Sequence, residues 1–293
     1  MDRYKKVLEE SRVPVDKDVI KTELDKIYEK IPELRNQETY TKIFNCIDLT
    51  TLNTDDSQDS VSAFVQRVND FDNEYPQYPN VAAVCVFSNF AGVVRSVLEV
   101  TGVKIAVVAG GFPSGQTFTA VKVADAALAV AEGADEVDVV MNIGMLRDGN
   151  YEELCDELIE IKHSIKDAHM KVIIESGALK EPEQIRNASI LALWSDADFI
   201  KTSTGKVYAG ASPEAAYVMC CCIKEYYEKT GKKVGFKAAG GVRSTEDALK
   251  YYAIVKEVLG EEWLGNDLFR IGASSLANNI LADMLDEETV KYF

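Results

Sequence analysis

Three ionisable residues stand inside runs that otherwise read as buried strands: Asp138 in EVDVV (136–140), Lys201 in ADFIKTS (197–203) and Lys237 in KVGFKA (233–238). A charge in such a run is costly unless it is paired or has a task. Lys237 lies 36 residues after Lys201, and Asp138 lies 63 residues before it. These spacings correspond to about one and two strand–helix units. Two lysines at similar height on neighbouring strands repel, and each disfavours protonation of the other; desolvation acts in the same direction. The product is a lysine neutral near pH 7, which is what a Schiff-base nucleophile must be. Asp138 could balance one lysine and shuttle a proton. The plainer alternative is an ion network that only holds the structure, a poor route to stability. Spacing alone does not say which lysine would be the nucleophile.

The elements that must position these residues alternate from residue 42 onward. Short apolar, β-branched runs cover 42–48, 81–87, 104–110, 136–140, 171–176, 197–203, 233–238 and 268–273. Helical patterns cover 58–70, 89–101, 117–132, 151–168, 181–192, 212–227, 244–258 and about 274–286. Strands alternating with helices imply a parallel sheet, and eight such units predict an α/β TIM (β/α)8 barrel. An open doubly wound sheet is the competitor, but no G-x-G-x-x-G follows the first run. Residues 1–40 read as a helical N-terminal extension, with an apolar stripe at Ile20, Leu24, Ile27, Tyr28 and Ile31 and a cap at Asp16 or Asp18. Residues 41–293 read as one barrel domain. In such a barrel, chemistry sits at the C-terminal ends of the strands. Asp48, Cys85, Asp138, Glu175, Lys201 and Lys237 are expected at or near those ends.

An anion site is expected on the same rim. TSTGK (202–206) is not a Walker A motif, because Ile200 and Val207 stand where it needs glycine and a hydroxyl residue. AAGGVRS (238–244) and GASS (272–275) instead follow the seventh and eighth strands, where barrels build phosphate sites. Gly240 and Gly241 let backbone N–H groups approach an anion, and Lys206 and Arg243 could add charge. The net charge of −16 argues against a nucleic-acid or membrane-surface binder. Six cysteines without a C-x-x-C pair suggest a reducing, cytoplasmic setting, and no apolar run reaches about 18 residues. His163 and His169 are the two histidines, both assigned to a charged helical surface, so triad and zinc chemistry are disfavoured. No metal or cofactor is expected. A homo-oligomer is compatible with the sequence.

These residues resemble the deoxyribose-phosphate aldolase family over about 43–285. The resemblance rests on DLTTLN (48–53), GADEVDVVMNIG (133–144), KVIIESG (171–177), ADFIKTSTGK (197–206), GFKAAGGVRS (235–244) and RIGASS (270–275). It implies a metal-free class I aldolase acting on a sugar phosphate and aldehydes. It implies Lys201 as the Schiff-base lysine, Lys237 as the lysine that lowers its pKa and Asp138 as the proton-relay acid. It further implies Gly205, Lys206, Gly240, Gly241 and Ser274 at the phosphate, Asp48 near the sugar hydroxyls and Thr204 lining the pocket. Some members use a tyrosine in the C-terminal tail as a proton relay; Tyr292 here lies in a tail of different sequence, VKYF. A related Schiff-base aldolase or transaldolase, and a non-catalytic sugar-phosphate binder, are the alternatives.

Overall fold

The computed structural model describes residues 3–293. Eight parallel strands close on themselves in chain order: β1 Ile47–Thr50, β2 Ala83–Phe87, β3 Lys104–Ala109, β4 Glu136–Val140, β5 His169–Ile173, β6 Phe199–Lys201, β7 Gly235–Ala239 and β8 Phe269–Ala273. Helices separate them, and the closing pair of β1 and β8 sets Asp48 beside Gly272. The chain is a TIM barrel, with its main apolar core between the strands and the surrounding helices.

The first apolar run does not begin as a strand. Ile43 and Phe44 are fully buried on one face of the helix Gln37–Asn45, whose N-terminus is capped by the Asn36 side chain. The strand starts only at Ile47. The sixth run is also shorter than its apolar stretch. Beyond Lys201, the Thr202 N–H still donates to the Lys237 carbonyl, while its hydroxyl donates to the Ala239 carbonyl and accepts from the Ala239 N–H, all at 3.0 Å. That exchange ties the loop after β6 to the end of β7. The fifth run ends before Glu175, which turns out of the strand with φ of 50°.

Near the N-terminus, Asp16 caps the helix Lys17–Tyr28 by accepting from the Asp18 and Val19 N–H groups. Ile20, Leu24 and Ile27 are buried, with Tyr28 half-buried beside them. This stripe lies against the helices Pro213–Thr230 and Thr245–Leu259. Among the described residues no helix is long and apolar enough to cross a membrane.

The barrel interior has two unlike sides. Toward β2 and β3 it is filled by Ala83, Cys85, Ala106 and Val108. Toward the other strands it is charged: Asp48, Glu136, Asp138, Lys171, Lys201, Lys237 and Arg270 are all buried. Gly235 and Gly272 make room for this layer. A Cβ at Gly235 would lie 2.2 Å from the Phe199 ring, and one at Gly272 would lie 3.1 Å from the Lys237 side chain.

Candidate active site

Lys201 is the last residue of β6, and its Cα pairs with that of Lys237 on β7. The two side chains converge on one atom, because Lys201 Nζ and Lys237 Nζ each donate to Asp138 Oδ2 at 2.7 Å. Lys237, expected at a strand end, is the third of five residues of β7 and is wholly buried. It also donates to Asp48 Oδ2. Only Lys201 of the three predicted catalytic residues reaches the cavity above, of about 310 Å³.

The two lysines are pushed in opposite directions. Burial lowers the pKa of Lys201, the Lys237 charge lowers it further, and Asp138 only partly offsets them. Burial would also lower Lys237, but Asp138 and Asp48 together outweigh it and raise its pKa. Burial opposes ionisation of Asp138; Lys171, Lys201 and Lys237 overcome this and hold its carboxyl well below the usual range. The arrangement therefore shifts Lys201 toward the neutral amine and holds a charged amine at Lys237 and a carboxylate at Asp138.

The cavity rim is built from the loops after β1, β6, β7 and β8. Gly205, Lys206, Gly240, Gly241, Arg243 and Ser274 all line it, as does Thr204. Gly240 and Gly241 have φ of 84° and 80°, and a Cβ at Gly240 would lie 2.9 Å from the Gly210 Cα. Lys206 crosses the rim, its ammonium donating to the Leu52 carbonyl. The loop after β8 carries Ser274 and Ser275 to the N-terminus of the helix Leu276–Leu285, which favours an anion.

Asp48 takes a different place from the one expected, and Thr204 lines the cavity with its polar groups already engaged. Asp48 does not line the cavity; it is fully buried below it, with its oxygens turned to Lys237 and to Arg270, the latter at 2.7 Å. It is a counter-ion for the lysine layer. Thr204 lines the cavity, but its hydroxyl donates to Glu175 Oε2 at 2.6 Å and its N–H to Oε1 at 3.2 Å. Glu175 thus holds the β6 loop. His169 is not on a helix: it opens β5, half exposed, with Nδ1 3.9 Å from Glu136. Tyr292 stays outside the cavity, its hydroxyl donating to the Arg67 carbonyl at 3.0 Å and its ring against Phe71 and Tyr75.

Sequence reasoning missed Glu136, Lys171 and Arg270. Arg270 bonds Glu136 at 2.8 and 3.0 Å, and Lys171 donates to Glu136 while standing 3.2 Å from Asp138 Oδ1. That oxygen accepts no hydrogen bond among the described residues. The available signal was strand period: Glu136 precedes Asp138 by two residues and must share its face.

The model of the family described as DeoC/LacD family aldolase matches residues 42–278. The chain belongs to this family. It is similar to the deoxyribose-phosphate aldolase of Homo sapiens, 37% identical over 86% of this chain and 82% of that protein. It is likewise similar to that of Bos taurus, 35% identical over 96% of this chain and 92% of the relative. Among solved structures, an aldolase named QR15 superposes with a TM-score of 0.69 at 30% identity, over 84% of this chain and 99% of that one. The family's matched region contains all the strands and the whole cavity rim.

Proposed function

We propose that this chain is a class I aldolase that reversibly cleaves 2-deoxy-D-ribose 5-phosphate to acetaldehyde and D-glyceraldehyde 3-phosphate through a Schiff base on Lys201. The observation that carries the reading is the Lys201 amine in the cavity lining, with a carboxylate 2.7 Å away and a second, fully buried lysine behind it. Neutral Lys201 attacks C1 of the open-chain sugar, and the carbinolamine loses water to give an iminium ion. The iminium accepts the electron pair of the breaking C2–C3 bond as the C3 hydroxyl gives up its proton. Glyceraldehyde 3-phosphate departs, leaving an enamine. Protonation of the enamine carbon and hydrolysis release acetaldehyde and restore Lys201. Asp138 and Lys237 carry the protons, since both contact the reacting amine or its partner.

The glycine loops and Ser274, with Lys206 and Arg243, hold the 5-phosphate, which fixes the reacting carbons over Lys201. Residues 41–293 form the aldolase domain, and the segment before them, described from residue 3, is an extension against its wall. Six free cysteines favour a cytoplasmic setting, and a homo-oligomer is compatible with the exposed Phe118, Val121 and Leu128. A coupled assay with 2-deoxy-D-ribose 5-phosphate tests the reading: glyceraldehyde 3-phosphate should appear without added metal, and no turnover would reject it.

A further inference from the structure

The ionic layer under Lys201 has an unequal charge count. Seven buried side chains are joined by ion pairs: the cations Lys171, Lys201, Lys237 and Arg270, and the carboxylates Asp48, Glu136 and Asp138. Fully ionised, they would leave one uncompensated positive charge inside the barrel, which a buried site resists. The partners decide which cation gives up its proton. Arg270 holds Glu136 through two nitrogens and also reaches Asp48. Lys171 holds Glu136 and lies 3.2 Å from Asp138 and 3.8 Å from Asp48. Lys237 holds Asp48 and Asp138. Among the described residues, Lys201 pairs only with Asp138 Oδ2, which it shares with Lys237.

We propose that Lys171 and Glu136 are positioning residues of the aldol reaction: they set the charge count inside the barrel so that Lys201 is the one cation left without a carboxylate of its own. The inference rests on Lys201 being the Schiff-base lysine. Neither residue lines the cavity. Lys171 on β5 faces Glu136 and Asp138 on β4, Asp48 on β1, Lys237 on β7 and, at 5.8 Å, the Phe199 ring on β6. Glu136 faces Lys171, Arg270 and, across 3.9 Å, His169. Lys201 also faces Cys85 on β2, whose thiol burial keeps protonated. Glu175 stands apart, its oxygens taken by Thr204.

The count gives opposite signs for the two residues. Without the Lys171 charge, three carboxylates face Lys237 and Arg270, and a protonated Lys201 completes the balance. Without the Glu136 charge, two carboxylates face three other cations, and Lys201 is driven further toward the free amine. The experiment follows exchange of the acetaldehyde methyl protons in D2O, which passes through the enamine and needs no phosphate. Rates are measured from pH 5 to 10 for wild type, Lys171→Met, Glu136→Gln and the double variant, with folding checked by circular dichroism. The acid limb should move up by at least one pH unit in Lys171→Met, with at least a tenfold slower exchange at pH 7 that recovers at alkaline pH. It should move down in Glu136→Gln and return toward wild type in the double variant. Should Lys171→Met not fold, the downward shift of Glu136→Gln and its reversal in the double variant decide the matter. Limbs that coincide with wild type, or that move in the same direction, overturn the proposal, because a structural role lowers rates without moving midpoints. A double variant that fails to fold also contradicts it, since its charge count is restored. No exchange by wild type would remove the Schiff-base reading itself.

Discussion

At the scale of single residues, Lys201 and Lys237 show how the same side chain acquires two characters. Burial disfavours the charge of both. Lys237 recovers it from two carboxylates, and Lys201 from one shared oxygen beside another cation. The consequences for stability are opposite. Lys201 is protonated in the unfolded chain at pH 7 but has a lowered native pKa, so burying it costs stability there. Lys201→Met should abolish turnover while holding or raising the urea midpoint. Lys237 has a raised native pKa, so its contribution is fully present below the ordinary lysine value and is lost only as pH rises through the native one. Lys237→Met should lower stability by about 3–5 kcal/mol, because it leaves Asp48 and Asp138 short of a partner. Urea titrations of both variants at pH 7 check this, and equal losses would contradict the assignment.

At the scale of elements, the barrel was legible because each strand is a short β-branched run with turn residues on both sides. Its first strand was misread where Ile43 and Phe44, apolar and adjacent, belong to the buried face of a helix. Lys201, Asp138 and Lys237 were legible as charges inside apolar runs. Lys171 and Arg270 were not: a cation near the start of a run reads as a side chain reaching for solvent, and only closure of the barrel turns it inward. Nor could spacing reveal that Asp48 lies below the cavity, because depth depends on the register between β1 and β8. The rim loops carry their own prediction. Arg243→Ala should raise KM for the sugar phosphate severalfold and leave the pH profile unchanged, since Arg243 lines the cavity but joins no ion pair with the lysine layer among the described residues. Gly240→Ala should also raise KM, with a loss of about 1–3 kcal/mol from its positive φ and the Gly210 contact. Steady-state kinetics on the two variants would contradict this if the pH optimum moved.

At the scale of the whole molecule, a closed barrel buries seven Asp, Glu, Lys and Arg side chains in its interior, within a chain of net charge −16. Acid should therefore act on it in two stages. Between pH 7 and about 5, protonation of surface carboxylates relieves self-repulsion, and stability should hold or rise. The carboxyls of Asp48, Glu136 and Asp138 are held below their ordinary values, because neighbouring cations outweigh the opposing effect of burial. Their contribution is complete above the unfolded values of about 4 and is lost as pH falls through the native ones, so the urea midpoint should drop steeply below about pH 4. A midpoint that declines already between pH 7 and 5 would contradict this. Whether Lys201 forms the imine is read by reducing the protein with borohydride in acetaldehyde and mapping the adduct by peptide mass. One ethyl adduct is expected, on Lys201, and none on that peptide in Lys201→Arg; an adduct on Lys237, or no adduct at all, would rule out an imine at Lys201.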